Sequence, residues 1–156
     1  GAENSGKLVT EVKDKADQIA QTEERDLLLI DGSPGIGCPV IASINGVDAV
    51  LIVTEPTKSG LSDLKRVLEV TAHFKINSYI VINKFDLNEV MTEKIKEFCQ
   101  DQGIEIIGKI PYSKVINRAL REGQLVMDNY EDSEPAQALK KIWEKIIDKF
   151  YQLNKE

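Results

Sequence analysis

Residues 78–86 read SYIVINKFD. Tyr79 to Ile82 form an apolar run rich in β-branched side chains, and Asn83, Lys84 and Asp86 follow it directly. A short run of this kind bounded by turn formers predicts a strand over 78–83 that is buried on both faces. Three other runs share the character: DLLLID at 26–31, DAVLIVT at 48–54 and EIIGKI at 105–110. Between them the apolar positions change to helical spacing. Leu61, Leu64, Val67, Leu68 and Phe74 predict a helix over 59–74, and Ile95 and Phe98 one over 92–101. Further helices are expected at 7–20, 38–45, 113–121 and 135–153, the last capped by Ser133 after the polar stretch DNYEDSEP at 128–135. Strands alternating with connections of helix length imply parallel pairing through right-handed crossovers. The expected fold class is therefore α/β, a three-layer sandwich with a mainly parallel sheet.

Composition narrows the function classes. The 156 residues and 42% apolar content suit one domain with a real core. The net charge of −6 leaves no broad positive face for nucleic acid or anionic lipid. No run approaches the roughly 18 apolar residues of a membrane helix, and the first residues lack the apolar core of a signal peptide, so the chain reads as cytoplasmic. Cys38 and Cys99 form no CxxC pair and are expected to be reduced thiols.

In an open parallel sheet, ligands sit beyond the carboxyl ends of the strands. Asp31 ends one run and opens DGSPGIG at 31–37. An acid there holds Mg²⁺ or its water, and the glycines let backbone N–H groups approach a phosphate; equally, the stretch is a tight turn capped by its own aspartate. Asn83 carries both a donor and an acceptor able to read a purine edge, and the Lys84 stem could cover the ring face; Asn83 and Asp86 could also be plain turn formers. Pro111 and Tyr112 follow the last strand and could wall the same pocket. The loop TEPTKSG at 54–60 leads into a helix for which Ser59 or Ser62 is the expected cap, with Asp63, Lys65 and Arg66 on its wet face.

Taken together, DGSPGIG at 31–37, VTEPTKSGLSDLKR at 53–66, VINKFD at 81–86 and IPY at 110–112 resemble, in order and spacing, the MinD/ParA/Mrp group of deviant-Walker P-loop ATPases. More narrowly they resemble the MinD superfamily with an inserted ferredoxin domain, the CobQ/CobB/MinD/ParA nucleotide-binding domain that also carries the label cobyrinic acid a,c-diamide synthase. The resemblance implies that Asp31 orients a water of the Mg²⁺ shell, that the Gly35 N–H senses the γ-phosphate, that Asn83 contacts adenine, and that the backbone around Pro111 walls the pocket. It also implies ATP and Mg²⁺ as ligands, a homodimer, and an iron–sulfur or electron-transfer partner. Iron–sulfur clusters would belong to a segment not in this chain, and no cofactor is expected bound to the chain by itself.

One expected motif is missing. Such ATPases begin with a strand and a KGGxGKT-type loop. GAENSGKL at 1–8 copies the glycine and lysine spacing but has Leu8 where a cation ligand belongs. It is read instead as the start of a helix. The chain is thus expected to be the C-terminal portion of a larger ATPase, or a degenerate relative, lacking the first strand and unable to hydrolyse ATP by itself. Without that strand, either the remaining strands close up or an edge is left open to dimerisation. Two alternatives stay open: a GTPase-like module in which Asp86 completes an NKxD pattern and accepts from guanine, and a non-catalytic protein-interaction module. Cys38 is expected to be a buried inert thiol despite its place at a helix start, Cys99 to pack inward, and His73 to sit at a helix end without a catalytic role. In the last helix Leu139, Ile142, Trp143, Ile146, Ile147 and Phe150 are expected on a core-covering face, in preference to a membrane-surface role.

Overall fold

The computed structural model describes residues 2–32, 35 and 37–153. Its elements follow the order α1 (Ala2–Thr22), α2 (Cys38–Ile44), β1 (Ala49–Thr54), α3 (Lys58–His73), β2 (Asn77–Asn83), a 3₁₀ turn (Phe85–Leu87), α4 (Glu89–Asp101), β3 (Glu105–Ile110), α5 (Lys114–Arg121), α6 (Val126–Asn129) and α7 (Glu134–Leu153). They divide into two compact units. The first comprises residues 2–50 and 65–77, the second residues 51–64 and 78 onward.

The second unit holds most of the sheet, in the order β1-β2-β3 with the three strands parallel; α4 connects β2 to β3, and α3, whose residues 65–73 belong to the first unit, follows β1 in the chain. A parallel pair cannot be joined by a tight turn, so each helix-length segment between strands is a consequence of that pairing. In the central strand β2, Val81 packs with Ile107, Ile110 and Ile142, and Ile116, Leu139 and Ile146 complete the cluster. Ile80 and Ile82 point to the opposite face by the two-residue period and have no exposure, as do Ile95 and Cys99 of α4. β2 is therefore covered on both sides, as the run SYIVIN predicts.

The flanking strand β1 departs from that expectation. Ile52 and Thr54 are buried, but Leu51 and Val53 on the alternate face are 38% and 58% exposed. An edge position leaves one face of a strand short of neighbours, and apolar content alone does not distinguish edge from centre. The larger correction is at 26–31: this run forms no strand, and Leu29 is 73% exposed. A strand exists only through its ladder, and no strand among the described residues pairs with the segment.

In the first unit α1 packs on α2. Gly6 leaves room for Cys38, whose Cβ lies 3.6 Å from where a side chain on residue 6 would begin. Lys13 Nζ donates to the Asn45 carbonyl at the far end of α2, a C-terminal carbonyl group that favours a cation. Residues 2–8 of the GAENSGKL stretch lie in α1, so these residues are a helix start rather than a phosphate loop. Gly1, Ser33, Pro34 and Ile36 lie outside the described residues.

Candidate functional site

In the second unit the strands β1, β2 and β3 end at Thr54, Asn83 and Ile110, and three loops leave from those ends. In the first loop the Thr54 hydroxyl donates to the Gly60 carbonyl at 3.1 Å, and Gly60 N donates to Thr57 Oγ1 at 2.9 Å. Thr57, not Ser59 or Ser62, is thus the residue that caps α3; Ser59 Oγ lies 3.0 Å from Thr57 Oγ1 and supports it. A Cβ on Gly60 would stand 2.3 Å from the Glu55 carbonyl oxygen, so the tight return of this loop requires glycine.

The second loop begins with Lys84 in the left-handed region, at φ 53° and ψ 41°, a conformation that costs a side-chain-bearing residue energy. Its ammonium pairs with Glu55 of the first loop at 2.7 Å, with both groups partly exposed. The 3₁₀ turn that follows is fixed by Thr92, whose hydroxyl donates to the Phe85 carbonyl at 2.6 Å. Lys109 Nζ lies 4.9 Å from the centre of the Phe85 ring. Asn88 caps α4 through Met91 N at 3.1 Å.

The third loop is tied to the second. Tyr112 N donates to Asp86 Oδ1 at 2.7 Å, and Ser113 caps α5 through Val115 N at 3.2 Å. The parallel register places Asn83 beside Ile110, so Pro111 and Tyr112 leave the sheet next to the Asn83 end of β2. Asn83 is half-buried, and its side-chain amide makes no hydrogen bond to any described residue. Tyr112 is engaged through its backbone, with 42% of its surface exposed.

Five of the sequence-derived site residues, Asn83, Lys84, Asp86, Pro111 and Tyr112, therefore lie in two neighbouring loops of one unit. Asp31 and Gly35 belong to the first unit, and both are exposed. Gly35 has φ +94°, which only glycine adopts readily, and among the described residues other than its neighbours no atom lies within 4 Å of the position a Cβ would take. Asp31 lies in a segment without regular secondary structure, and no group of three or more His, Cys, Asp or Glu side chains gathers to hold a metal among the described residues. Sequence reasoning missed Glu55 and Thr57. Nothing in the local pattern marks Glu55 as the partner of Lys84, whereas the position of Thr57 immediately before Lys58 is an ordinary capping signal.

Two further expectations change. Cys38 is exposed at the start of α2, because the first turn of a helix offers a side chain little cover. Trp143 is 46% exposed on α7, while Ile142 beside it is buried: the packed stripe is narrower than the apolar content of the helix. Cys99 is buried as expected, and burial pushes its thiol up to about 11.

A family model described as ParA, NUBPL iron-transfer P-loop NTPase, matches residues 6–147. An uncharacterized protein of Methanocaldococcus jannaschii is 29% identical over 94% of this chain and 47% of its own length. An iron-sulfur cluster carrier protein of Pyrococcus horikoshii is 27% identical over 82% of this chain and 47% of its own length. The chain thus spans about half the length of the curated relatives it matches. The fold is also that of the MinD cell division protein of Aquifex aeolicus, with a TM-score of 0.68 and 21% identity over 94% of this chain and 61% of that one. Sheet order, strand-end loops and a family match over nearly the whole length agree, and the chain belongs to the ParA family of P-loop NTPases.

Proposed function

We propose that this chain supplies the base-binding part of an ATP site in a MinD-like ATPase that couples nucleotide state to an iron–sulfur partner or cargo. The observation that carries the reading is the Asn83 amide: half-buried, without an intramolecular hydrogen bond to any described residue, and standing at the carboxyl end of the central strand. That end is where open α/β sheets bind ligands. A carboxamide donates and accepts at once and so matches the neighbouring acceptor and donor on the edge of adenine. Pro111 and the backbone of Tyr112 form the wall beside it.

In the first unit, Asp31 fits a role through water, as an exposed carboxylate, and the open backbone at Gly35 fits approach by a phosphate oxygen. Bound Mg²⁺ would neutralise phosphate charge. The iron–sulfur part of the reading is supported by the family description and by the Pyrococcus horikoshii carrier protein. A ferredoxin-like electron carrier and a homodimer of the whole protein remain part of the proposal. ATP hydrolysis is assigned to the whole protein with a KGGxGKT-type loop, and this chain by itself is expected to be inactive.

The reading is tested with a fluorescent ATP analogue and Mg²⁺. Asn83→Ala is expected to weaken binding by about 1–2 kcal/mol, the loss of hydrogen bonds made in a partly dry site. An affinity unchanged by the substitution would remove Asn83 from the site.

A further inference from the structure

The loops that follow β1 and β2 are joined by the ion pair of Glu55 and Lys84, both in the second unit. We propose that Glu55 is a positioning residue of the nucleotide site: acting through Lys84, it holds the loop after β2 in a strained, ligand-ready backbone and so raises nucleotide affinity without touching the ligand. This inference rests on the nucleotide reading above and adds to it a residue from the first loop.

Glu55 is offered from a fixed support. Its carbonyl oxygen accepts from Thr57 N at 2.8 Å, and the Thr54 and Thr57 hydroxyl groups close the loop on Gly60. From that support its carboxylate stands 2.7 Å from the Lys84 ammonium. Lys84 is the opposite case. At φ 53° and ψ 41° it occupies the left-handed region, which a side chain disfavours and which persists only where the surroundings impose it. The Lys84 carbonyl accepts from Leu87 N at 3.1 Å, and Thr92 holds the Phe85 carbonyl, so the chain is anchored beyond the strained residue. The pair with Glu55 anchors the strained residue itself.

The direction of the chain after β2 is set at this residue. Rotation about the Lys84 dihedrals would swing the 3₁₀ turn, and with it the Asp86 carboxylate that accepts from Tyr112 N at 2.7 Å. The strand-end loops are thus linked in series, Glu55 to Lys84 and then Asp86 to Tyr112. The Glu55 and Lys84 side chains are 45% and 39% exposed, and an ion pair that open to water contributes little to global stability. Its effect is instead a choice between local backbone conformations. A loop held in its bound form before ligand arrives binds with a smaller ordering cost.

The test uses the full natural chain, a fluorescent ATP analogue with Mg²⁺, and ¹⁵N-labelled protein without nucleotide. Glu55→Gln should weaken binding about fivefold, the reach of a partly exposed charge pair. In a Lys84→Met background the same substitution should cost nothing further, because the residue through which Glu55 acts has lost its charge. Without nucleotide, Glu55→Gln should shift the amide resonances of Phe85 and Tyr112, on the two loops that Asp86 joins. Resonances indifferent to the substitution would overturn the positioning role. An equal loss of affinity in both backgrounds would overturn it too, by showing that Glu55 acts without Lys84. So would a lower urea midpoint with unchanged affinity of the folded protein, the result a merely structural pair gives. Wild-type protein that binds no nucleotide overturns the reading on which the inference rests. The amide shifts, read without ligand, tell that failure from a loop that Glu55 does not hold.

Discussion

Two cysteines show how the same side chain is given opposite properties by its surroundings. Cys38 is exposed and Cys99 is fully buried. A thiol reagent should therefore titrate one thiol in the native protein and two after denaturation, and a second native thiol reacting at the same rate would contradict the burial of Cys99. The raised pKa of Cys99 has a sign that can be checked. Below about 9 the thiol is protonated in both states; between there and about 11 unfolding releases its proton, so stability falls as the pH rises through that window. Cys99→Ala should lack this component, measured as the difference between the two urea-unfolding profiles from pH 8 to roughly 11. Thr57 gives a second residue-scale expectation. Thr57→Ala should cost about 1 kcal/mol, Thr57→Ser much less, and Ser62→Ala under about 0.5 kcal/mol, because the N–H of Gly60 bonds to Thr57. A cost at Ser62 equal to that at Thr57 would return the cap to one of the two serines, Ser59 and Ser62, expected from the sequence.

The elements were legible in proportion to their length and burial. β2 and β3 lie within a residue of the runs that predict them, because a strand that loses both faces to the core must be apolar at nearly every position. The 3₁₀ turn at Phe85–Leu87 and the four-residue α6 went unread, since neither is long enough to show a period. The run at 26–31 misled for the converse reason: its composition is that of a strand, but pairing is a property of neighbours. α7 illustrates packing that composition cannot reveal. A Cβ on Gly108 would lie 2.2 Å from Ile142 Cγ1, so the helix sits directly on the bare backbone of β3. Gly108→Ala should destabilise the protein by about 1–3 kcal/mol through overpacking. Combined with Ile142→Ala, the double variant should lose at least about 1 kcal/mol less than the sum of the single losses, because the new methyl occupies the space the isoleucine leaves. Additive losses in urea unfolding would mean the two positions do not meet. From the same helix, Lys145 Nζ donates to the Ile107 carbonyl at 2.8 Å, and Lys149 pairs with Glu105 at 2.7 Å. The Glu105 carboxylate holds the Lys149 ammonium above its ordinary pKa.

At the scale of the molecule, the family is written in the order of the strand-end motifs, and the match over residues 6–147 agrees with it. The candidate site is only half legible in that way. Asn83 and Pro111 are visible as residues at strand ends, but the pairs Glu55–Lys84 and Asp86–Tyr112 join loops far apart in sequence, and no local pattern announces them. They matter because they fasten the three strand-end loops of this unit to one another beside Asn83. The most direct test is a crystal structure of the full natural chain with Mg²⁺ and a non-hydrolysable ATP analogue. The account predicts adenine with its amino group and a ring nitrogen within about 3 Å of the two Asn83 amide atoms, and Asp86 still bonded to Tyr112 N. A base bound elsewhere, or an Asp86 carboxylate turned onto it with the Tyr112 bond broken, would contradict that account.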